Sequence, residues 1–116
     1  MNLHFNIKSH TFSTIISLKG KIMSDTDIEA LSMEIKKLIS DKKTNLIFNL
    51  TELSYLNSSG INLFMKTLTA SRINNGDLIF YGVNGNVSNL FKITKLSEIY
   101  TIYSSENDAV NHFKNK

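Results

Sequence analysis

Residues 57–60 read Asn-Ser-Ser-Gly and lie where an apolar, strand-like run gives way to a helical pattern. Hydroxyl and amide side chains at a helix start accept hydrogen bonds from its unpaired backbone N–H groups. The same N–H groups, with the partial positive charge of the helix dipole, also favour a phosphoryl group. From the residues alone, two roles are therefore open for this serine pair: helix capping, and a hydroxyl whose phosphorylation would add about −1.5 to −2 charge.

Other patterns that carry chemistry are absent from the sequence. The histidines His4, His10 and His112 have no carboxylate or second histidine at the spacing of metal ligands. Ser59-Gly60 lacks the preceding glycine of a nucleophile elbow, and Gly82-Val83-Asn84-Gly85 is spaced wrongly for a phosphate-binding loop. No pair of carboxylates of the glycosidase type is found at the predicted loop ends. The sequence therefore predicts a protein that is not an enzyme and that needs no metal or cofactor.

The length and composition favour one small domain. The chain has 116 residues and no cysteine, so it can form an apolar core but no disulfide. Its first residues alternate polar and apolar side chains and lack the apolar stretch of a signal peptide. No run approaches the ~20 apolar residues that cross a bilayer. We therefore expect a soluble, cytoplasmic protein without membrane insertion.

The charge is positive but dispersed. The net charge is +3 and the pI is about 9.2. Lys36-Lys37 and Lys42-Lys43 are the densest basic positions, and acidic residues lie among them. Nucleic-acid-binding proteins usually concentrate cations on one face, because affinity comes from neutralising several phosphates together. The sequence therefore predicts no direct nucleic-acid partner.

Strand and helix patterns alternate along the chain. We predict strands at 2–8, 12–18, 46–50, 78–81 and 100–103, and helices at 24–40, 58–73, 87–93 and around 109–113. Gly20 is expected to end the second strand, and residues 51–56 to form a loop before the second helix. Strands that alternate with helices of this length imply parallel crossovers, and the first two strands suggest a hairpin. The fold class is therefore α/β with a mixed sheet.

Three segments in order resemble the STAS domain family. The first is Leu-Lys-Gly-Lys-Ile at 18–22, and the second is the run at 46–61 that contains the Asn-Ser-Ser-Gly motif. The third is 78–83 followed by 90–96. The resemblance is strongest over residues 11–113. It implies one STAS-like domain over residues 1–116, with a mixed four- to five-stranded sheet and helices packed mainly on one side. Residues 114–116 would form a short polar tail that frays.

The resemblance also implies a function. Phosphorylatable members of the family are anti-sigma factor antagonists: each binds an anti-sigma factor of the GHKL serine-kinase type, which phosphorylates the first motif serine and thereby ends the contact. Ser58 would be that substrate residue here. The partner-binding residues implied by the same analogy are Lys21, Met23, Asn57, Ser58, Ser59, Gly60, Ile61 and Asn62.

Position 57 departs from the family pattern. Asn57 stands where the family usually has Asp, so the cap can persist while a carboxylate beside the hydroxyl is lost. Phosphorylation then either continues or is weakened, which would leave a constitutive binding module. A scaffold or accessory subunit of a stressosome-like or lipid-transport complex is the alternative function, and a nucleotide-binding module is a third. The oligomeric state stays open.

Overall fold

A computed structural model describes residues 2–115 as five strands and five helices around one sheet. Met1 and Lys116, which the single-domain prediction includes, lie outside the described residues. In chain order the elements are β1 (Leu3–Ser9), β2 (Thr14–Ile22), α1 (Asp25–Ser40), β3 (Asn45–Leu56), α2 (Ser58–Ile73), β4 (Asp77–Tyr81), α3 (Gly85–Ile93), α4 (Leu96–Ile99), β5 (Thr101–Tyr103) and α5 (Glu106–Lys114).

The sheet has the strand order β1-β2-β3-β4-β5. The first pair is the antiparallel hairpin expected from the sequence, and every later pair is parallel. The apolar run Leu46-Ile47-Phe48 in the middle strand is fully buried, as expected for a strand covered on both faces. The predicted α/β class and the mixed sheet are therefore confirmed, with five strands.

Two apolar layers of unequal size hold the helices. The larger layer joins α1 to α4 to one face of the sheet and includes a chain of aromatic rings: Phe48, Phe64, Phe80, Phe91 and Tyr100. On the other face, Ala109 and Phe113 of α5 cover Ile15, Ile47 and Ile79. The prediction that the helices pack mainly on one side is confirmed, because α5 alone of the five helices in residues 2–115 covers the second face.

Two boundaries predicted from the sequence are wrong. Gly20 does not end β2: the strand continues to Ile22, and Gly20 has a φ of +106° beside shifts in the register with β3. A Cβ at Gly20 would overlap the carbonyl oxygen of Asn2, so glycine is required there. Residues 51–56 are strand rather than loop, because the extension of β2 supplies their backbone partners.

The C-terminal third contains two further differences. The short helix α4 was not predicted; it follows Lys95, whose φ of +62° turns the chain sharply after α3. Lys114 was assigned to a fraying tail but belongs to α5, and Asn115 caps that helix through its backbone N–H. The side chain of Ser105 caps the start of the same helix by accepting from the Asp108 N–H.

Candidate functional site

Residues 57–60, which we call the motif loop, follow the carboxyl end of β3: Asn57 is the N-cap of α2, and Ser58 to Gly60 begin its first turn. Leu56 ends the strand and pairs with Ile22 of β2, so the connection from β2 to α1 runs beside the start of α2. Asn57 donates its backbone N–H to the Ile22 carbonyl over 3.2 Å. The fold therefore brings together Lys21, Met23 and the motif loop, which are far apart in the sequence.

Asn57 uses both ends of its side-chain amide. Its Oδ1 accepts from the Ser59 backbone N–H at 3.0 Å, which caps α2. Its Nδ2 donates to the Met23 carbonyl at 2.6 Å. A carboxylate at this position could make the first contact but has no hydrogen to donate in the second. Asparagine therefore links the helix start to the neighbouring loop in a way that aspartate cannot.

Met23 is held from both sides of its backbone. Its N–H donates to Asp27 Oδ2 in the first turn of α1 at 2.8 Å, while its carbonyl accepts from Asn57. The side chain is nevertheless 52% exposed. Because the backbone is already fixed, contact with a partner would cost only the ordering of this exposed side chain.

The residues predicted for the site differ in accessibility. Ser58, Lys21 and Asn62 are exposed, and Ser59 and Ile61 are half-buried. Gly60 is buried, and a Cβ there would stand 3.1–3.2 Å from carbons of the Leu56 and Ile22 side chains. Gly60 therefore lets the first turn of α2 lie close against the ends of β2 and β3.

An apolar groove adjoins Ser58. It has a volume of about 590 Å³ between the start of α2 and α3. Tyr55 and Ile93, which are 44% and 79% exposed, contribute apolar surface together with Ile61 and Leu90. Exposed apolar side chains that line a common groove are typical of a protein-binding surface.

The α3 side of this groove was missed from the sequence. The sequence predicted a helix at 87–93 but assigned none of its residues to the site. At about 100° per residue, Ile93 lies roughly 200° around the helix from Phe91, so the two cannot share one buried face. That spacing was the signal available in the sequence.

The described residues also bear on other kinds of site. Within residues 2–115, no group of three or more His, Cys, Asp or Glu side chains is arranged to hold a metal ion, and no helix combines the length and apolar character needed to cross a membrane. Burial raises the pKa of Tyr100 to about 12. The pKa of Tyr81 is also raised to about 12, first by burial and then by the hydrogen bond to the Glu106 carboxylate and the charge of that group. Neither tyrosine lines the groove.

The fold and the site define a small α/β domain that presents a serine at a helix start beside an apolar groove. The model of the STAS domain family matches residues 4–109. The chain therefore belongs to the STAS domain family, and the resemblance drawn from its sequence segments is confirmed.

Known relatives agree with this assignment. An anti-sigma-B factor antagonist of Staphylococcus aureus strain NCTC 8325 / PS 47 is 28% identical over 98 residues, 84% of this chain and 91% of the relative. The unphosphorylated form of the anti-sigma factor antagonist SpoIIAA matches with a TM-score of 0.83 and 21% identity, covering 97% of this chain and 98% of the other. The phosphorylated form, described as a Bacillus cell fate determinant, matches with a TM-score of 0.75 and 21% identity over 94% and 98%. These two structures show the shared fold.

Proposed function

We propose that this protein is an anti-sigma factor antagonist that binds an anti-sigma factor of the GHKL serine-kinase type and is released when Ser58 is phosphorylated. The observation that carries the proposal is the exposed Ser58 at the first position of α2, beside an apolar groove. The name of the Staphylococcus aureus relative and the existence of a phosphorylated SpoIIAA with this fold support it.

The proposed partner surface combines the motif loop, its neighbouring loop and the groove. We assign to it the exposed Lys21, Met23 and Asn62 and the partly exposed Ser59 and Ile61. Gly60 is buried beneath this surface, and its lack of a side chain lets α2 pack closely against β2 and β3. Asn57 keeps the two loops in a fixed relation.

Phosphorylation at Ser58 would act on the contact rather than on the fold. A phosphate at the first position of α2 lies at the positive end of the helix dipole, so the helix tolerates it. The partner would have to bury about −1.5 to −2 charge beside the apolar side chains of the groove, which opposes binding by desolvation. Because a partner of this class acts in the cytoplasm, we propose the same location for this protein.

The test uses the full chain and the anti-sigma kinases encoded in the same genome. Incubation with ATP should add one phosphoryl group to the intact mass, and Ser58→Ala should abolish the addition. Ser24→Ala is the matched control, because Ser24 is an exposed serine at the start of α1 whose side chain makes no capping hydrogen bond. The control should be phosphorylated like the parent chain.

Binding supplies the second readout. Ser58→Glu should weaken binding to the kinase by roughly tenfold or more, equivalent to at least about 1.4 kcal/mol. An unchanged mass with every such kinase, together with unchanged binding of Ser58→Glu, would contradict the switch. Retrieval of transporter or stressosome subunits instead of a kinase would favour the accessory role.

A further inference from the structure

A second pocket lies at the opposite end of β3 from the motif loop. Its walls are the turn between β1 and β2, residues 9–13, and the segment 42–45 between α1 and β3, and its volume is about 340 Å³. The turn is fixed by the His10 N–H, which donates to the Ser13 carbonyl at 2.8 Å, and by Asn45 Nδ2, which donates to the Phe12 carbonyl at 3.1 Å. The pocket is thus built from two segments that are tied together.

Two polar atoms in the pocket wall lack hydrogen-bond partners among the described residues. They are the Ser13 hydroxyl and the His10 Nε2, and both are buried. Ser13 is only 6% exposed. A buried polar group without a partner is costly, so such a group calls for an ordered water, an ion or a ligand that supplies the missing bond. Both residues line the same pocket, and because the two atoms are almost inaccessible, a ligand seated there would bond to them after a small shift of the pocket wall.

Two lysines give the pocket a positive charge. Lys42 and Lys43 line it, and their backbone N–H groups donate to the Ile39 and Leu38 carbonyls in the last turn of α1. Lys42 has a φ of +65°, which turns the chain from the helix towards the pocket. The neighbouring carboxylate, Asp41, is exposed and is not part of the lining. Two ammonium groups, a hydroxyl and an imidazole nitrogen are donors that suit a tetrahedral oxyanion.

We propose that this pocket binds a phosphate group, held by Lys42, Lys43, Ser13 and His10. The site lies at the amino ends of β2 and β3, whereas Ser58 follows the carboxyl end of β3. A ligand there would leave the proposed partner surface uncovered. The proposal therefore stands independently of the phosphorylation switch at Ser58.

The test is an NMR titration of the full chain, labelled with ¹⁵N, against inorganic phosphate or glycerol phosphate, with chloride at matched ionic strength as the reference. We expect saturable shifts confined to residues 9–14 and 42–45. A response to inorganic phosphate alone would assign the site to the free ion, and a tighter response to glycerol phosphate would assign it to phosphomonoesters. Linear shifts, or equal shifts with chloride, would overturn the proposal.

Variants identify the residues that bind. The double variant Lys42→Gln/Lys43→Gln should weaken phosphate binding about tenfold, as expected when charge-assisted contacts are lost. Lys36→Gln/Lys37→Gln is the matched control, since it removes an adjacent pair of exposed lysines from α1 with the same change in charge. Equal affinity for the first variant and the parent chain would refute the assignment.

Ser13→Ala gives an independent readout. Because the Ser13 hydroxyl has no partner in the protein, its removal should leave Tm without phosphate unchanged or raised, and should reduce the increase in Tm that phosphate produces. If phosphate raised the Tm of Ser13→Ala as much as that of the parent chain, the Ser13 hydroxyl would not be part of the site.

Discussion

The first turn of α2 and the middle of the same helix differ in what they contact. In the first turn, Ser58 faces solvent and Asn57 holds the backbone through polar contacts. One turn and a half further on, Phe64 is fully buried and its ring lies 5.1 Å from Phe48 and 5.2 Å from Phe80. One helix thus joins a surface available for modification to the part of the core that fixes its position.

The difference separates stability from recognition. Apolar burial in the middle of α2 contributes to the free energy of folding, whereas the exposed hydroxyl of Ser58 contributes little. A change of charge at Ser58 can therefore alter binding without unfolding the domain. If this interpretation is correct, substitutions along α2 should divide into those that change the free energy of unfolding and those that change partner binding.

Phe64→Ala should have the largest effect on stability. It removes a buried ring from the aromatic cluster and leaves a cavity, so the free energy of unfolding should fall by about 3–5 kcal/mol. Urea denaturation followed by circular dichroism measures the change. Met65→Ala is the matched control, because the neighbouring side chain is 45% exposed and its removal should cost no more than about 0.5 kcal/mol. Equal losses for the two variants would contradict the division proposed for α2.

Asn57 should show an intermediate effect, because it is polar but structural. Asn57→Ala removes both the cap and the bond to the Met23 carbonyl, and should lower the free energy of unfolding by about 2 kcal/mol. Asn57→Asp keeps the cap and gains from the helix dipole but loses the donor to Met23, so the loss should be about 1 kcal/mol. Urea denaturation gives both values.

Two measurements distinguish loss of the hydrogen bond between Asn57 and the Met23 carbonyl from a general effect of the added charge on stability. Asn62→Asp makes the same chemical change at an exposed position of α2, and should alter stability by no more than about 0.5 kcal/mol. The amide resonance of Ser24, which belongs to the peptide group of the Met23 carbonyl, should move in Asn57→Asp but not in Asn62→Asp. An unmoved Ser24 resonance in Asn57→Asp would show that the link to Met23 is unimportant.

The position of α2 could be predicted from the sequence, but the hydrogen bonds of its first turn could not. Apolar spacing predicted a helix at 58–73, and the polar motif predicted where that helix begins. The partner of the Asn57 Nδ2 is a backbone carbonyl 34 residues away, so no local pattern identifies it. The extension of β3 to Leu56 was missed for the same reason, because its hydrogen bonds depend on the bulged end of β2.

Ser58→Ala should have the smallest effect on stability. The side chain is exposed, and the cap of α2 is supplied by Asn57, so the free energy of unfolding should change by less than about 0.5 kcal/mol. Ser58→Glu places a carboxylate at the positive end of the helix dipole and should raise it by about 0.3–1 kcal/mol. Urea denaturation of both variants tests this sign. A loss above about 1 kcal/mol for Ser58→Ala would mean that the hydroxyl supports the fold, and a phosphate there would then disturb the domain itself rather than only its contact with a partner.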